Sequence, residues 1–147
     1  MNRRYRSIYQ LARNNAGLTQ LGAAEMLNIS VRSLADYESG ATIPHGDIVY
    51  DMADIYNAKW LGYEHLRIST KVGQRCLPKI NISDLAQSVL SLQKESIDVE
   101  NVKPCMIKIA SNGRIDEHEV QRWEEVTKEI LEMAGAALSV VYHKGVT

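Results

Sequence analysis

The sequence has no phenylalanine, two cysteines and three prolines in 147 residues. Aromatic packing therefore rests on seven tyrosines and two tryptophans. Cys76 and Cys105 lie far apart and form no CxxC pair, which argues against a disulfide framework. No apolar run approaches the roughly 18 residues that a membrane span needs. The opening "MNRRYRSIYQLARNN" is charged and lacks the apolar core of a signal peptide. The expectation is a cytoplasmic protein with no membrane partner. His45, His65, His118 and His143 share no ligand spacing with one another or with the cysteines. An activated nucleophile, a phosphate-binding glycine loop, a paired general acid and base, and a compact Ser/Lys self-cleavage arrangement are all missing. The chain is therefore expected to be no enzyme and to need neither cofactor nor metal.

"IASNGRIDEHEV" invites comparison with a calcium loop. Placing Gly113 at the loop glycine and Glu119 at the final acidic ligand puts Lys108 and Ala110 at the first and third ligand positions. Neither side chain coordinates calcium, so a tight turn between helices explains the stretch better.

What is present is ordinary in amount and uneven in placement. Hydrophobic residues make up 45% and charged residues 24%, as in a globular protein, and the length suits one medium or two small domains. The net charge of −1 hides a split. Residues 1–35 carry five arginines against the single acid Glu25. Residues 76–147 carry eleven acids against eight bases. Such a split suggests a polyanion-facing front and a solvated or partner-facing rear.

Helical periodicity with frequent stops fills the first half. A first helix is predicted over Tyr5–Asn15, with Ile8, Leu11 and Ala12 inward and Gly17 as its left-handed stop. Thr19 is the N-cap of a second helix that reaches Leu27. Asn28 tolerates positive φ, and Ser30 caps a third helix from Val31 to Ser39. A fourth runs over Asp47–Tyr56, with Ile48, Met52 and Ile55 on one face. A short fifth carries Trp60, Leu61 and Leu66. Two helices held close at a steep angle need a small residue, a turn residue and apolar anchors. Ala24, Asn28, and Ile29 with Leu34 supply them in order, with Leu18, Met26 or Leu27, and Tyr37 completing the core.

Those residues carry a resemblance. "LTQLGAAEMLNISVRSLADYESGATIP" resembles the lambda-repressor-like, Xre/Cro-type DNA-binding domain through Leu18-Thr19-Gln20, Ala24, Ile29-Ser30, Leu34, Tyr37-Glu38, Gly40 and Pro44. Asn28 stands where the family usually has a turn glycine. Gly22 stands inside the second helix, where the family more often has a charged residue. The resemblance implies a bacterial or phage-derived regulator that binds double-stranded DNA, with an inverted-repeat operator. Val31, Arg32, Ala35 and Asp36 would face base edges. Arg32 is favoured, because a guanidinium binds both acceptors of a guanine. Thr19, Gln20 and Ser33 would contact phosphate, with Arg3, Arg4, Arg6 and Arg13 neutralising backbone charge. Glu38 would brace the second helix or the loop after the third.

Gly73 and Pro78 interrupt "STKVGQRCLPKIN", and a linker is assigned to residues 69–81 between a DNA-binding domain at 1–68 and a second domain at 82–147. In the second domain Ile82, Leu85, Val89, Leu92, Ser96 and Val99 form one apolar stripe. Pro104 is expected to open a short separate helix. Asp116 with Glu119 forms a capping box for a last helix, whose stripe is Val120, Trp123, Thr127, Ile130, Ala134, Ala137 and Val141. The two stripes are expected to bury against each other. Small residues Ala134–Ala137 permit close approach, and residues 82–147 are assigned to homodimerisation, with Val120, Trp123, Ile130, Ala134, Ala137 and Val141 in the interface. The fold expected is all-α: a five-helix DNA-binding domain followed by a small helical hairpin or bundle. The function expected is a sequence-specific transcriptional regulator, with repression as the family habit. The alternative is a protein-interaction module of antitoxin or anti-repressor type, whose acidic half meets an unidentified protein partner.

Overall fold

Small polar side chains set most helix starts in this chain. In the computed structural model, which describes residues 7–143, Ser7, Thr19, Ser30, Thr70 and Asp84 each accept a hydrogen bond from the backbone N–H three residues on. They open α1 (Ile8–Asn15), α2 (Gln20–Met26), α3 (Val31–Ser39), α6 (Lys71–Cys76) and α7 (Leu85–Ala110). Between and after them lie α4 (Gly46–Ile55), α5 (Lys59–Ser69), a single 3₁₀ turn (Glu117–Glu119) and α8 (Val120–Val141). No strand occurs among the described residues, and no helix there is long and apolar enough to cross a membrane. The chain divides into two units that part between Leu77 and Pro78.

The first unit is built around α1, which packs on α3, α4 and α5, while α2 packs on α3 and α4 on α5. Ala12, Ala23 and Ala24 are fully buried, so the backbones of α1 and α2 come close to their neighbours. Leu34, Val49, Met52 and Leu61 fill the space between them. Some inward positions differ from the expected ones. Tyr9 is buried, while Ile8 and Leu11 are half-buried; Val49 replaces Ile48 and Ile55 as the buried partner of Met52; Leu66 and Met26 face solvent. α6 lies inside the stretch assigned to a linker. It packs on α5 because Gly73 lacks a side chain, and a Cβ there would stand 2.1 Å from the Leu66 carbonyl oxygen.

A buried pair joins α1 to α5. The Tyr9 hydroxyl lies 2.8 Å from His65 Nδ1, and burial pushes the His65 pKa below its ordinary 6.5 and the Tyr9 pKa up. Above pH 6.5 the imidazole is neutral in folded and unfolded chains alike. As pH falls through that value, the unfolded chain takes a proton that the folded one resists. Stability therefore drops until pH passes below the folded value. Urea midpoints should be lower at pH 5.5 than at 7.5, and His65→Gln should flatten that slope; an equally steep slope in the variant would refute the assignment.

The second unit is a helical hairpin. Instead of a separate helix starting at Pro104, α7 runs unbroken through it. Proline removes one intrahelical N–H, but Pro104 and Glu100 are both exposed, so water can satisfy the carbonyl left without its donor. The capping box is present: the Asp116 N–H donates to Glu119 Oε2 at 3.0 Å. α8 returns along α7, and Ser88, Ile109 and Val126 are buried in their seam. An extended strap over residues 78–83 then crosses α8. The Asn81 N–H donates to Ser139 Oγ at 2.9 Å, and a Cβ on Gly135 would stand 2.3 Å from the Lys79 carbonyl oxygen. Gly135 thus serves contact with the chain's own strap, while Ala134 and Ala137 are half-buried.

Candidate DNA-binding surface

A recognition helix needs a rigid mount and a free front. The mount begins with the turn between α2 and α3. Leu27 ends α2, Asn28 takes φ 54°, and the Ile29 N–H donates to the Ala24 carbonyl at 3.0 Å. A side-chain carbonyl makes this left-handed conformation easier for asparagine than for most residues. Ala24 and Leu34, each almost wholly buried, fix the contact between the two helices. Gly40 closes α3 in the left-handed conformation at φ 81°, and Pro44 is buried behind it.

The second part of the mount is ionic. Glu38, near the end of α3, forms a bidentate pair with Arg13 of α1, with Nη2 to Oε2 at 3.0 Å. Both side chains are more than nine-tenths buried. Arg13 Nη1 also donates to the Leu18 carbonyl at 2.6 Å, and Gln20 Nε2 donates to Glu38 Oε2 at 2.8 Å. One carboxylate therefore ties α1, the start of α2 and α3 together. The hydrogen bond to Glu38 raises the Arg13 pKa further, against the effect of burial. Burial first, and the Glu38 charge second, push the nearby Tyr56 phenol up to about 12. This corrects Arg13: it is a structural ion-pair partner and not a surface cation for phosphate. Its burial inside the domain is not legible in the sequence, where it stands in one basic segment with Arg3, Arg4 and Arg6. Glu38 was legible as a brace, but its partner was not.

The front of α3 is open. Val31 and Arg32 are exposed, while Ser33, Ala35 and Asp36 are half-buried. Among the described residues no ion pair holds the Arg32 guanidinium, Asp36 one turn on included. Ser33 Oγ lies 2.8 Å from Ser30 Oγ within the cap. Thr19 Oγ1 accepts from the Gly22 N–H at 3.1 Å. Gln20 sits at the edge of the same surface with its amide on Glu38. Arg3, Arg4 and Arg6 lie outside the described residues. The expected interface residues sit on α8: Val120 and Val141 are exposed, and Trp123, Ile130, Ala134 and Ala137 are half-buried. Elsewhere on α7 and α8, carboxylates of Glu95, Glu129 and Glu132 gather beside Lys94 and Lys128 in an ion-pair network.

Two helices at a tight turn, with the second braced from behind and open in front, define a helix-turn-helix DNA-binding domain. Residues 10–60 match the family model described as Helix-turn-helix, of the Xre/lambda-repressor-like kind. That family is one of DNA-binding regulators and not of enzymes. No curated protein and no solved structure matches the chain.

Proposed function

We propose that the protein is a sequence-specific transcriptional regulator that binds operator DNA as a homodimer, with α3 in the major groove. The observation that carries the reading is the exposed Val31–Arg32 edge of α3 on a mount tied together by Glu38. Arg32 reads a guanine, Val31 packs on a thymine methyl, and Ala35 and Asp36 line the same contact. Ser33, Thr19 and Gln20 meet phosphates and set the register, helped by Arg3, Arg4 and Arg6. The Gln20 amide carries a second N–H beyond the one given to Glu38, so it can serve both. Residues 82–147 hold the two copies together, and bound dimer represses by occupying a promoter.

Selection of bound duplexes from random DNA should return an inverted repeat, with half-site centres one helical turn or a multiple of it apart. Arg32→Ala should relax preference at one base pair and weaken specific binding by ~1–3 kcal/mol. A selected motif identical to the parent's would refute the base-reading role. An interaction module with no DNA function would instead show no steep fall in duplex binding as salt rises.

A further inference from the structure

We propose that the second unit pairs with a second copy of this chain through one particular face of the α7–α8 hairpin, giving a two-fold four-helix bundle; this rests on the reading of the protein as a dimeric regulator and assigns the contact. At 3.6 residues per turn, Leu85, Val89, Leu92, Ser96 and Val99 fall within about 80° of one another on α7. On α8, Val120, Trp123, Thr127, Ile130, Ala134, Ala137 and Val141 fall within about 100°. Both stripes lie to one side of the buried seam marked by Ser88 and Val126. The two helices run antiparallel, so their rotation senses mirror each other, and the two stripes come out on the same side of the hairpin. They therefore do not bury fully against each other, as the sequence suggested. They form one continuous face that the unit leaves half-covered at its centre and exposed at Leu85, Val89, Val120 and Val141.

Three features suit this face to burial. Between Leu85 and Val99 its α7 stripe holds no charge, and the α8 stripe holds none from Val120 to Val141; Lys103, paired with Glu100, stands only at one end. Its two central hydroxyls are already committed, Ser96 to the Leu92 carbonyl at 2.8 Å and Thr127 to the Glu124 carbonyl at 3.1 Å. The charges lie elsewhere on the same helices, as in the pairs Lys94–Asp98 and Lys128–Glu132.

The occupant follows from size and symmetry. The 22 residues of α8 span ~33 Å. Two helices ~9 Å apart make a face roughly 18 Å wide. The α7 stripe from Leu85 to Val99 spans only ~22 Å, so the face gives about 500 Å² per copy, or about 1,000 Å² for a pair, which reaches the lower bound of a biological interface. An uncharged face two helices wide complements itself, as a two-fold contact requires. A two-helix unit with so few buried side chains gains a core by such pairing.

The test uses a matched set on one helix. Leu85 and Val89 are 49% and 48% exposed and lie on the proposed face; Leu90 and Ile97 are 60% and 55% exposed and lie away from it. The full chain without DNA should sediment at twice the chain mass. Leu85→Glu with Val89→Glu should raise the dimer dissociation constant by about 100-fold or more with helix content unchanged. Leu90→Glu with Ile97→Glu should leave it unaltered. As a readout independent of substitution, diluting the parent protein should increase quenching of Trp123, while Trp60, buried in the first unit, stays protected. A monomeric parent, or dissociation by the Leu90/Ile97 pair and not by the Leu85/Val89 pair, would overturn the assignment. These results stand apart from DNA: a dimer indifferent to duplex sequence would defeat the regulator reading and leave this contact intact.

Discussion

Glu38→Ala is expected to lower the unfolding free energy of the first unit by about 3–5 kcal/mol. The cost comes less from the lost attraction than from what remains. Arg13 would keep its charge in a site where its side chain is 7% exposed, with the Leu18 carbonyl and the neighbouring Asn14 as its remaining side-chain hydrogen-bond acceptors among the described residues. The Gln20 amide would lose its acceptor as well. Glu38→Gln preserves shape but not charge, and should cost less than alanine yet remain clearly destabilising. Replacing both partners, Arg13→Met with Glu38→Leu, should recover most of the loss, because neither desolvated charge is then left alone. Urea unfolding followed at Trp60, which is buried in this unit, would measure all three. An alanine variant with the parent's midpoint would show that the ion pair contributes nothing to holding α3.

The second large effect concerns the dimer and is read on DNA. The Leu85→Glu, Val89→Glu variant leaves the helix-turn-helix untouched, so its affinity for an isolated half-site should match the parent's. On a complete inverted repeat the parent engages the second half-site at the high effective concentration set by its partner, worth ~10²–10⁴-fold. The variant should lose that factor. Titration of both duplexes at one salt concentration separates the possibilities, since phosphate contacts make affinity salt-dependent. Equal affinity of variant and parent for the full site would mean that two-fold pairing adds nothing to operator binding.

How much was legible in advance varies by element. The helix-turn-helix was readable because its constraints are local: a cap at Thr19, a small residue at Ala24, a left-handed turn at Asn28, a cap at Ser30 and a glycine stop at Gly40 all lie within 22 residues. The expected break at Pro104 does not occur: α7 continues through it, with the exposed Glu100 carbonyl open to water in place of the missing N–H. α6 was missed because its stability depends on contact with α5 through Gly73, which composition alone does not reveal. Along the two apolar stripes Ile82, Leu85, Val89, Val120 and Val141 are exposed, a degree of burial that periodicity does not disclose.

By itself the sequence determined the capped starts of α2 and α3, the left-handed turn at Asn28 between them, and that residues 19–40 form a helix-turn-helix. These follow from caps, turns and periodicity, whose energies act over a few residues. Only the tertiary structure decided that Arg13 belongs to the interior, that Glu38 ties three elements together, and that Gly135 receives the chain's own strap. Those outcomes depend on which distant groups share a space without water, and desolvation is a property of the assembled fold and not of any stretch of chain.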